Sequence, residues 1–91
     1  MSITLNLPNV LARLADGQTN IISGGNTVGA VIDNVTARYP ALAPRLRGAT
    51  GEQYAFVTIY LNDEDIRFAG GFDANVKDGD EVVVVPAIAG G

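Results

Sequence analysis

The sequence predicts an α+β fold in which one main helix packs across a mixed β-sheet. The chain has 91 residues, which is the length of a single domain. Apolar residues recur at helical spacing over residues 28–39, and short stretches typical of strands lie before and after that segment. The predicted order of elements is therefore strand, strand, helix, strand, short strand, strand.

The first two predicted strands form a hairpin with a widened connection. Residues 3–7 alternate apolar and polar side chains before Pro8, as a half-buried strand does. Residues 9–15 have apolar side chains at helical spacing and are followed by Asp16-Gly17, so we expect one irregular turn there. Residues 19–23 then provide the second strand.

The main helix is predicted to begin after Thr27 and to end before Pro40. Threonine often caps helix N-termini, and proline cannot continue a helix. Many residues between them are β-branched, so the intrinsic helix propensity is low and packing onto the sheet must stabilise the helix. Its apolar residues fall on one stripe: Val28, Val31, Ile32, Val35 and Tyr39.

The second half of the chain is predicted to supply the remaining strands. Residues 41–51 mix Pro, Arg and Gly and are typical of a connecting loop. Residues 56–61 are the clearest strand, and residues 66–68 are predicted as a short one. Residues 81–85 are apolar on both faces, which predicts a strand at the centre of the sheet.

The composition excludes several kinds of chemistry. The chain contains no Cys, His or Trp, so thiolate nucleophiles, imidazole bases, disulfides and Cys/His metal sites are all excluded. The acidic run at residues 63–65 lacks the ligand spacing of a calcium loop and predicts a solvated turn. We therefore expect no bound metal, a reducing cytoplasmic location, and a partner that supplies most of the chemistry.

Charge and hydropathy exclude two classes of partner. Six basic and ten acidic residues give a net charge of −4, which would repel the phosphates of nucleic acid. The longest apolar run, residues 82–89, is too short to cross a bilayer and contains Pro86. No basic segment followed by an apolar core begins the sequence. We expect a protein partner, and neither nucleic acid nor a membrane.

The carboxyl-terminal part of the sequence carries a specific combination of features. Residues 78–80 form a Gly-Asp turn, residues 81–86 a valine-rich strand ending in proline, and the sequence closes on Gly90-Gly91. Together with the predicted order of elements, this combination resembles the ThiS/MoaD family of ubiquitin-like sulfur carriers, whose fold is the β-grasp. Residues 62–71 are most similar to the CysO type, which carries sulfur for cysteine synthesis.

The resemblance implies that Gly91 is the reacting residue. In this family an activating enzyme related to the ubiquitin E1 enzymes uses ATP and Mg²⁺ to adenylate the terminal carboxylate, and sulfur then displaces AMP. The resulting thiocarboxylate donates its sulfur. The chain would then be a carrier and co-substrate rather than an enzyme, with no cofactor of its own. Its further partners would be a cysteine synthase dependent on pyridoxal phosphate and a peptidase that releases the product.

The chain is expected to consist of a folded domain and a tail that carries the reacting residue. Residues 1–86 form the β-grasp domain, and residues 87–91 form a flexible tail. Glycine has no Cβ, so the last two residues can adopt conformations that a narrow tunnel in an enzyme requires. We predict that the activating enzyme grips the residues before Gly91: Ala87, Ile88, Ala89 and Gly90.

A docking surface is the second candidate site. Phe56, Tyr60 and Phe68 are predicted to line an apolar patch on the sheet face opposite the helix, where a partner would bind. Packing in the core is the alternative for each of these side chains. The sequence does not show whether these side chains form a docking surface or pack in the core.

Alternative functions within the same resemblance use the same tail. The chain could be the small subunit of molybdopterin synthase, a sulfur carrier for the thiazole of thiamin, or a ubiquitin-like modifier that forms isopeptide bonds through Gly91. Stable co-purification with a large catalytic subunit would favour the first. Gly91 joined to lysines of other proteins would favour the last.

Overall fold

The computed structural model describes residues 2–46 and 57–86. Within them, one five-stranded mixed sheet forms. Its strands are β1 (Ile3–Asn6), β2 (Asn20–Ser23), β3 (Val57–Leu61), β4 (Glu64–Asp65) and β5 (Glu81–Pro86), and their order across the sheet is β2-β1-β5-β3-β4. The α-helices of the described part are α1 (Asn9–Ala12), α2 (Val28–Arg38) and α3 (Ala43–Leu46). The described 3₁₀ turns are Arg13–Ala15, Pro40–Leu42, Ile66–Phe68 and Gly71–Asp73.

The strand register places two strand ends side by side. β1 and β5 run parallel, with Asn6 opposite Val83, so both strands end at the same end of the sheet. β3 runs antiparallel to β5 and pairs Val57 with Pro86 at that end. We call this end, marked by Asn6 and Pro86, the tail end of the sheet. The prediction that residues 81–85 form a central strand is confirmed.

The predicted helix stripe is confirmed as the centre of the core. Val28, Val31, Ile32 and Val35 are all fully buried against the sheet. The Thr27 hydroxyl oxygen accepts the backbone N–H of Ala30 at 3.1 Å and caps the helix, as its position predicts. The chain changes to a 3₁₀ turn at Pro40, again as predicted.

A glycine before α2 allows the chain to approach the helix closely. Gly25 has a φ of +144°, and a Cβ at this position would lie 2.9 Å from the backbone nitrogen of Val31. That distance is shorter than a carbon–nitrogen contact tolerates, so a side chain there would push β2 away from the first turn of α2. Gly25 therefore fixes the spacing between the first hairpin and the main helix.

The prediction of a short strand at residues 66–68 is wrong. The short strand is β4, which ends directly before the predicted segment, and Ile66–Phe68 is a 3₁₀ turn. An Asp65 carboxylate oxygen accepts the backbone N–H of Arg67 at 2.9 Å and starts the turn. Ile66 is fully buried, and the left-handed Gly70, with a φ of +105°, ends the segment. Local capping therefore outweighs the strand propensity of the apolar side chains.

The two faces of β5 differ although both are apolar. Val82 and Val84 point into the core, whereas Val83 is half-buried and Val85 is 38% exposed on the opposite face. Pairing on both edges makes β5 central, but α2 covers only one face of the sheet. We call the uncovered side the open face; it includes Thr4, Asn6, Ile22, Thr58, Tyr60, Val83 and Val85.

Candidate functional site

The residues predicted to react lie beyond the described part of the chain. These are the tail residues 87–91, which include Gly91, and Phe56 also lies outside residues 2–46 and 57–86. The structure does describe the strand that leads to the tail. Pro86 pairs with Val57 at the tail end of the sheet, so residue 87 continues the chain from that end.

Tyr60 lies on the open face, which is one of the two positions that the sequence left open for it. It pairs with Val83, and together with Val85 and Asp63 these side chains line a shallow groove of about 240 Å³. Tyr60 is half-buried there, so it packs on its strand neighbours while part of its ring remains accessible. This groove is a surface on which a partner can bury apolar area without rearrangement of the sheet.

Phe68 is exposed, but it belongs to the 3₁₀ turn beside β4 and not to a strand. Its side chain is 80% exposed. The guanidinium carbon of Arg67 lies 5.9 Å from the centre of its ring, within the range of a cation–π interaction. An exposed aromatic residue held on a short, capped turn is typical of a partner contact.

An ion pair positions Arg67 beside the open face. The Arg67 guanidinium donates to both carboxylate oxygens of Asp65, at 3.1 Å to Oδ1 and at 2.6 Å to Oδ2. These hydrogen bonds lower the pKa of Asp65 and raise the pKa of Arg67. Asp65 is directly opposite Tyr60 in the β3–β4 register, and Tyr60 adds a smaller electrostatic contribution that also raises the pKa of Arg67. The pair therefore lies between Tyr60 and Phe68.

A second polar cluster joins the β3–β4 turn to the start of β5. The Asn62 side chain donates to Asp80 at 2.9 Å and accepts the backbone N–H of Glu81 at 3.0 Å. The other Asp80 oxygen accepts the backbone N–H of Lys77 at 2.8 Å. The hydrogen bond from Lys77, followed by that from Asn62, lowers the pKa of Asp80. Sequence reasoning assigned these residues to turns and missed the link between them, because they are distant in sequence.

We expect the Asp80 cluster to give the fold part of its dependence on pH. A lowered folded pKa means that ionised Asp80 stabilises the fold above its ordinary pKa of 3.8, and this contribution is lost as the pH falls through the folded pKa. An Asp80→Asn variant should be less stable than the parent at neutral pH, and the difference should shrink in acid. Urea unfolding at a series of pH values measures this difference.

The matched control for this titration is Asp73→Asn. Asp73 is exposed and its carboxylate accepts no hydrogen bond from the described residues, so the change controls for the loss of one surface charge. A stability difference between the parent and Asp80→Asn that stays constant from neutral to acidic pH would contradict the role given to the Asp80 carboxylate.

The described residues offer neither a metal centre nor a membrane span. Within residues 2–46 and 57–86, no three His, Cys, Asp or Glu side chains are grouped so that they could hold a metal ion. No described helix has the length and apolar character needed to cross a bilayer.

Comparison with known families decides the identity of this fold. The model of the ThiS family matches residues 5–91. The chain belongs to the ThiS family. The match begins within β1, covers β2 to β5 and continues to Gly91. The resemblance inferred from the Gly-Asp turn, the valine-rich strand and the final glycines is therefore confirmed.

Individual relatives support the same assignment. This ThiS-family chain is 41% identical to the sulfur carrier protein CysO of Mycobacterium tuberculosis over 93 aligned positions, covering 100% of both chains. It superposes on the CysO chain of the BexX/CysO complex from Amycolatopsis orientalis with a TM-score of 0.90 and 38% identity, covering 98% of this chain and 99% of the other. It is also 31% identical to small archaeal modifier protein 1 of Haloferax volcanii, over 89% of this chain and 91% of that protein.

These comparisons confirm two predictions. The fold is a ubiquitin-like β-grasp, with a mixed sheet and one main helix across it. The ThiS-family chain is homologous to small sulfur carrier proteins rather than to catalysts.

Proposed function

We propose that this ThiS-family chain carries sulfur as a thiocarboxylate formed at Gly91. The supporting observation is the similarity to the sulfur carrier protein CysO, which extends over the full length of both chains and therefore includes Gly90 and Gly91. The chain has no Cys, so no side chain could hold sulfur as a thiol or persulfide. The main-chain carboxylate of Gly91 is then the group that we propose to carry the sulfur.

The chemistry requires activation because a carboxylate is a poor electrophile. A Gly91 carboxylate oxygen attacks the α-phosphorus of ATP, and pyrophosphate leaves. Hydrosulfide, or an equivalent nucleophile supplied by a partner, then attacks the acyl carbon. The carbon–oxygen bond to AMP breaks and a thiocarboxylate remains. ATP and Mg²⁺ belong to the activating enzyme, and Gly91 contributes only the reacting carboxylate.

Cysteine synthesis is the outlet that we propose for the sulfur. The relatives named CysO support it, and the BexX/CysO complex supports docking of such a carrier on another protein. The thiocarboxylate sulfur would attack an aminoacrylate held on pyridoxal phosphate by a partner synthase. A peptidase would then release cysteine from the carrier. In this series of reactions the chain is a co-substrate of its partner enzymes.

Protein modification is the second candidate function, because one relative is an archaeal modifier protein. The two functions share adenylation of Gly91 and differ in the nucleophile that follows. A sulfur nucleophile gives the carrier, and a lysine amine gives an isopeptide bond. Peptide digests of proteins from the native host distinguish the two functions. Only modification leaves a peptide that ends in Gly91 joined to lysines of other proteins.

Intact mass spectrometry tests the proposed function directly. Protein purified from its native host is expected to include a form in which one oxygen of the chain is replaced by sulfur. Fragmentation should place that replacement at Gly91. If ATP and the activating enzymes of the host never produce an adenylate or a thiocarboxylate at this residue, the proposed function is wrong.

We further propose that the activating enzyme docks on the open face. Tyr60, Val83 and Val85 provide the apolar centre, and the exposed Phe68 extends the contact beyond Arg67. Ala87, Ile88, Ala89 and Gly90 would then enter the enzyme. Phe56 stays a predicted contact, since it precedes Val57 at the tail end of β3.

A charge introduced on the open face should impair docking but not folding. In a Val85→Asp variant, we expect the KM for the carrier in adenylation to rise about tenfold or more, equivalent to about 1.4 kcal/mol, with little change in kcat. Val85 is already 38% exposed, so the melting temperature should change little. Pyrophosphate exchange measured over a range of carrier concentrations gives both constants.

Ala37→Asp is the control for this experiment. It adds the same carboxylate at an exposed position of α2, on the side of the sheet away from the open face. An equal rise in KM for both variants would show that net charge, and not the open face, governs docking.

A further inference from the structure

A second groove lies outside the open face. It has a volume of about 230 Å³ and is lined by Val10, Leu11, Arg13, Leu14 and Arg45. We call it the arginine groove. The lining comes from α1, the 3₁₀ turn that follows it, and α3. α3 is distant in sequence from α1 and the turn that follows it, so the groove exists only in the folded chain.

The arginine groove lies near the tail end of the sheet. β1 ends at Asn6, and α1 begins at Asn9, only a short connection later. The parallel strand β5 ends at Pro86 at the same end of the sheet. The first side of the groove and the start of the tail therefore leave the sheet at the same end. A protein that takes up the tail approaches the end of the sheet at which α1 begins.

The charge of the groove is not compensated within the described chain. The other arginines described by the structure have identified partners: Arg67 pairs with Asp65, and Arg38 donates to the Ile22 carbonyl at 2.8 Å. Neither Arg13 nor Arg45 forms a salt bridge or hydrogen bond with residues 2–46 or 57–86, and none of the acidic side chains in those two ranges lines the groove. Two guanidinium groups thus remain available to carboxylates of a partner.

The groove also exposes apolar surface. Val10 is 59% exposed, and Leu14 is half-buried in the same groove. Leu11 is nearly buried and forms the floor. An aliphatic floor between two guanidinium groups suits a peptide segment that has both apolar and acidic side chains.

The distribution of charge over the molecule favours a single orientation of the partner. Asp63 and Glu64 follow the end of β3, and Asp78 and Asp80 precede β5, so these acidic residues lie at the end of the sheet opposite the tail end. Arg13 belongs to the segment after β1, at the tail end, and Asp16 is the acidic residue of that same segment. A partner with an acidic segment is therefore attracted to the end from which the tail leaves.

We propose that the arginine groove binds an acidic, apolar segment of the enzyme that activates the tail. The inference rests on the proposed function and names a contact separate from the open face. The groove binds the enzyme through Arg13 and Arg45 and orients the tail toward the nucleotide site. Its effect is on binding of the carrier and not on the chemical step.

Charge reversal in the groove tests this proposal. Pyrophosphate exchange by the activating enzyme of the same host is measured over a range of carrier concentrations, for the parent and for Arg13→Glu, Arg45→Glu and Val10→Ser. We expect each arginine variant to raise KM about tenfold or more with kcat nearly unchanged, and Val10→Ser to raise it less. The increase should become smaller at high salt, because screening weakens the contact in the parent.

Lys77→Glu is the matched control. It makes the same change in net charge, but the turn that contains Lys77 precedes β5 and lies at the opposite end of the sheet. The proposal expects little change in KM for this variant. Equal KM increases for Lys77→Glu and Arg13→Glu would show that net charge, and not the arginine groove, determines KM. That result would overturn the proposal.

Other occupants of the groove give different results. If sedimentation shows that the parent dimerises and that Arg13→Glu is monomeric, the groove binds a second copy and the proposal is wrong. If deletion of Gly91 shifts the NMR signals of Arg13 and Arg45 in the free protein, the groove binds the chain's own carboxylate, which also overturns it.

The design separates this inference from the proposed function. Absence of exchange with the parent carrier would overturn both. Normal exchange with the parent and an unchanged KM for Arg13→Glu and Arg45→Glu would overturn the arginine groove alone. Recovery of a low KM when Arg13→Glu is combined with an acidic-to-arginine change in the enzyme would establish the contact.

Discussion

Removal of Gly91 is expected to abolish adenylation while the protein melts at nearly the same temperature as the parent. The shortened chain still ends in a carboxylate, now on Gly90, but that group lies about 3.8 Å short of its position in the parent. Misplacement by even about 1 Å can lower the rate of a positioned reaction roughly 100-fold. Pyrophosphate exchange should therefore fall by at least that factor.

The effect on stability separates a reactive tail from a structural one. A terminal glycine has little surface to bury, so its loss should cost little free energy of unfolding. Gly91→Ala is the matched variant, since it keeps the chain length and the carboxylate. Gly91→Ala should retain more adenylation activity than the deletion. The size of its loss of activity depends on how closely the enzyme surrounds the last residue. A large drop in melting temperature after deletion of Gly91 would mean that the tail is part of the fold.

Val31→Asp is expected to destabilise the fold more than any other variant described above. Val31 is fully buried between α2 and the sheet, and it contacts the segment around Gly25. A carboxylate there would lose its hydration without gaining a partner, at a cost of about 3–5 kcal/mol or more. Since small domains are stable by only about 5–15 kcal/mol, we expect much of the protein to be unfolded at physiological temperature.

Ala37→Asp separates burial from the change in helix propensity and charge. Ala37 lies on the exposed side of the same helix, so its carboxylate remains hydrated. Circular dichroism melts and urea titrations should show a loss of less than about 1 kcal/mol for this control. Equal melting of Val31→Asp and the parent would show that the α2 stripe is not the core of the protein.

The main helix and most of the strands could be predicted because their signals are local. Thr27, the stripe through Val35, and Pro40 lie within a few turns of one another, so sequence spacing alone fixes which side of α2 is apolar. The same reasoning failed at residues 66–68. There the apolar side chains suggested a strand, whereas the Asp65 cap and the left-handed Gly70 produce a 3₁₀ turn.

The candidate site could likewise be predicted only in part from local sequence patterns. The sequence left Tyr60 either on the open face or in the core, and the burial pattern of β3, with Val57 and Ile59 buried on the other face, decides for the open face. The accessible side of β5 could not be predicted, since all four residues from Val82 to Val85 are valine. Only the pairing of Tyr60 with Val83 shows which valines line the groove on that face.

The sequence by itself determined the order of elements, the stripe of α2, the absence of Cys and His side chains and the glycines at residues 90–91. These properties depend on residue type and short-range spacing. The tertiary structure decided which face of the sheet is open, that Asn62 meets Asp80, and that Arg13 and Arg45 share one groove. Such contacts join residues far apart in the chain, and their positions follow from strand order and register, which local periodicity does not specify.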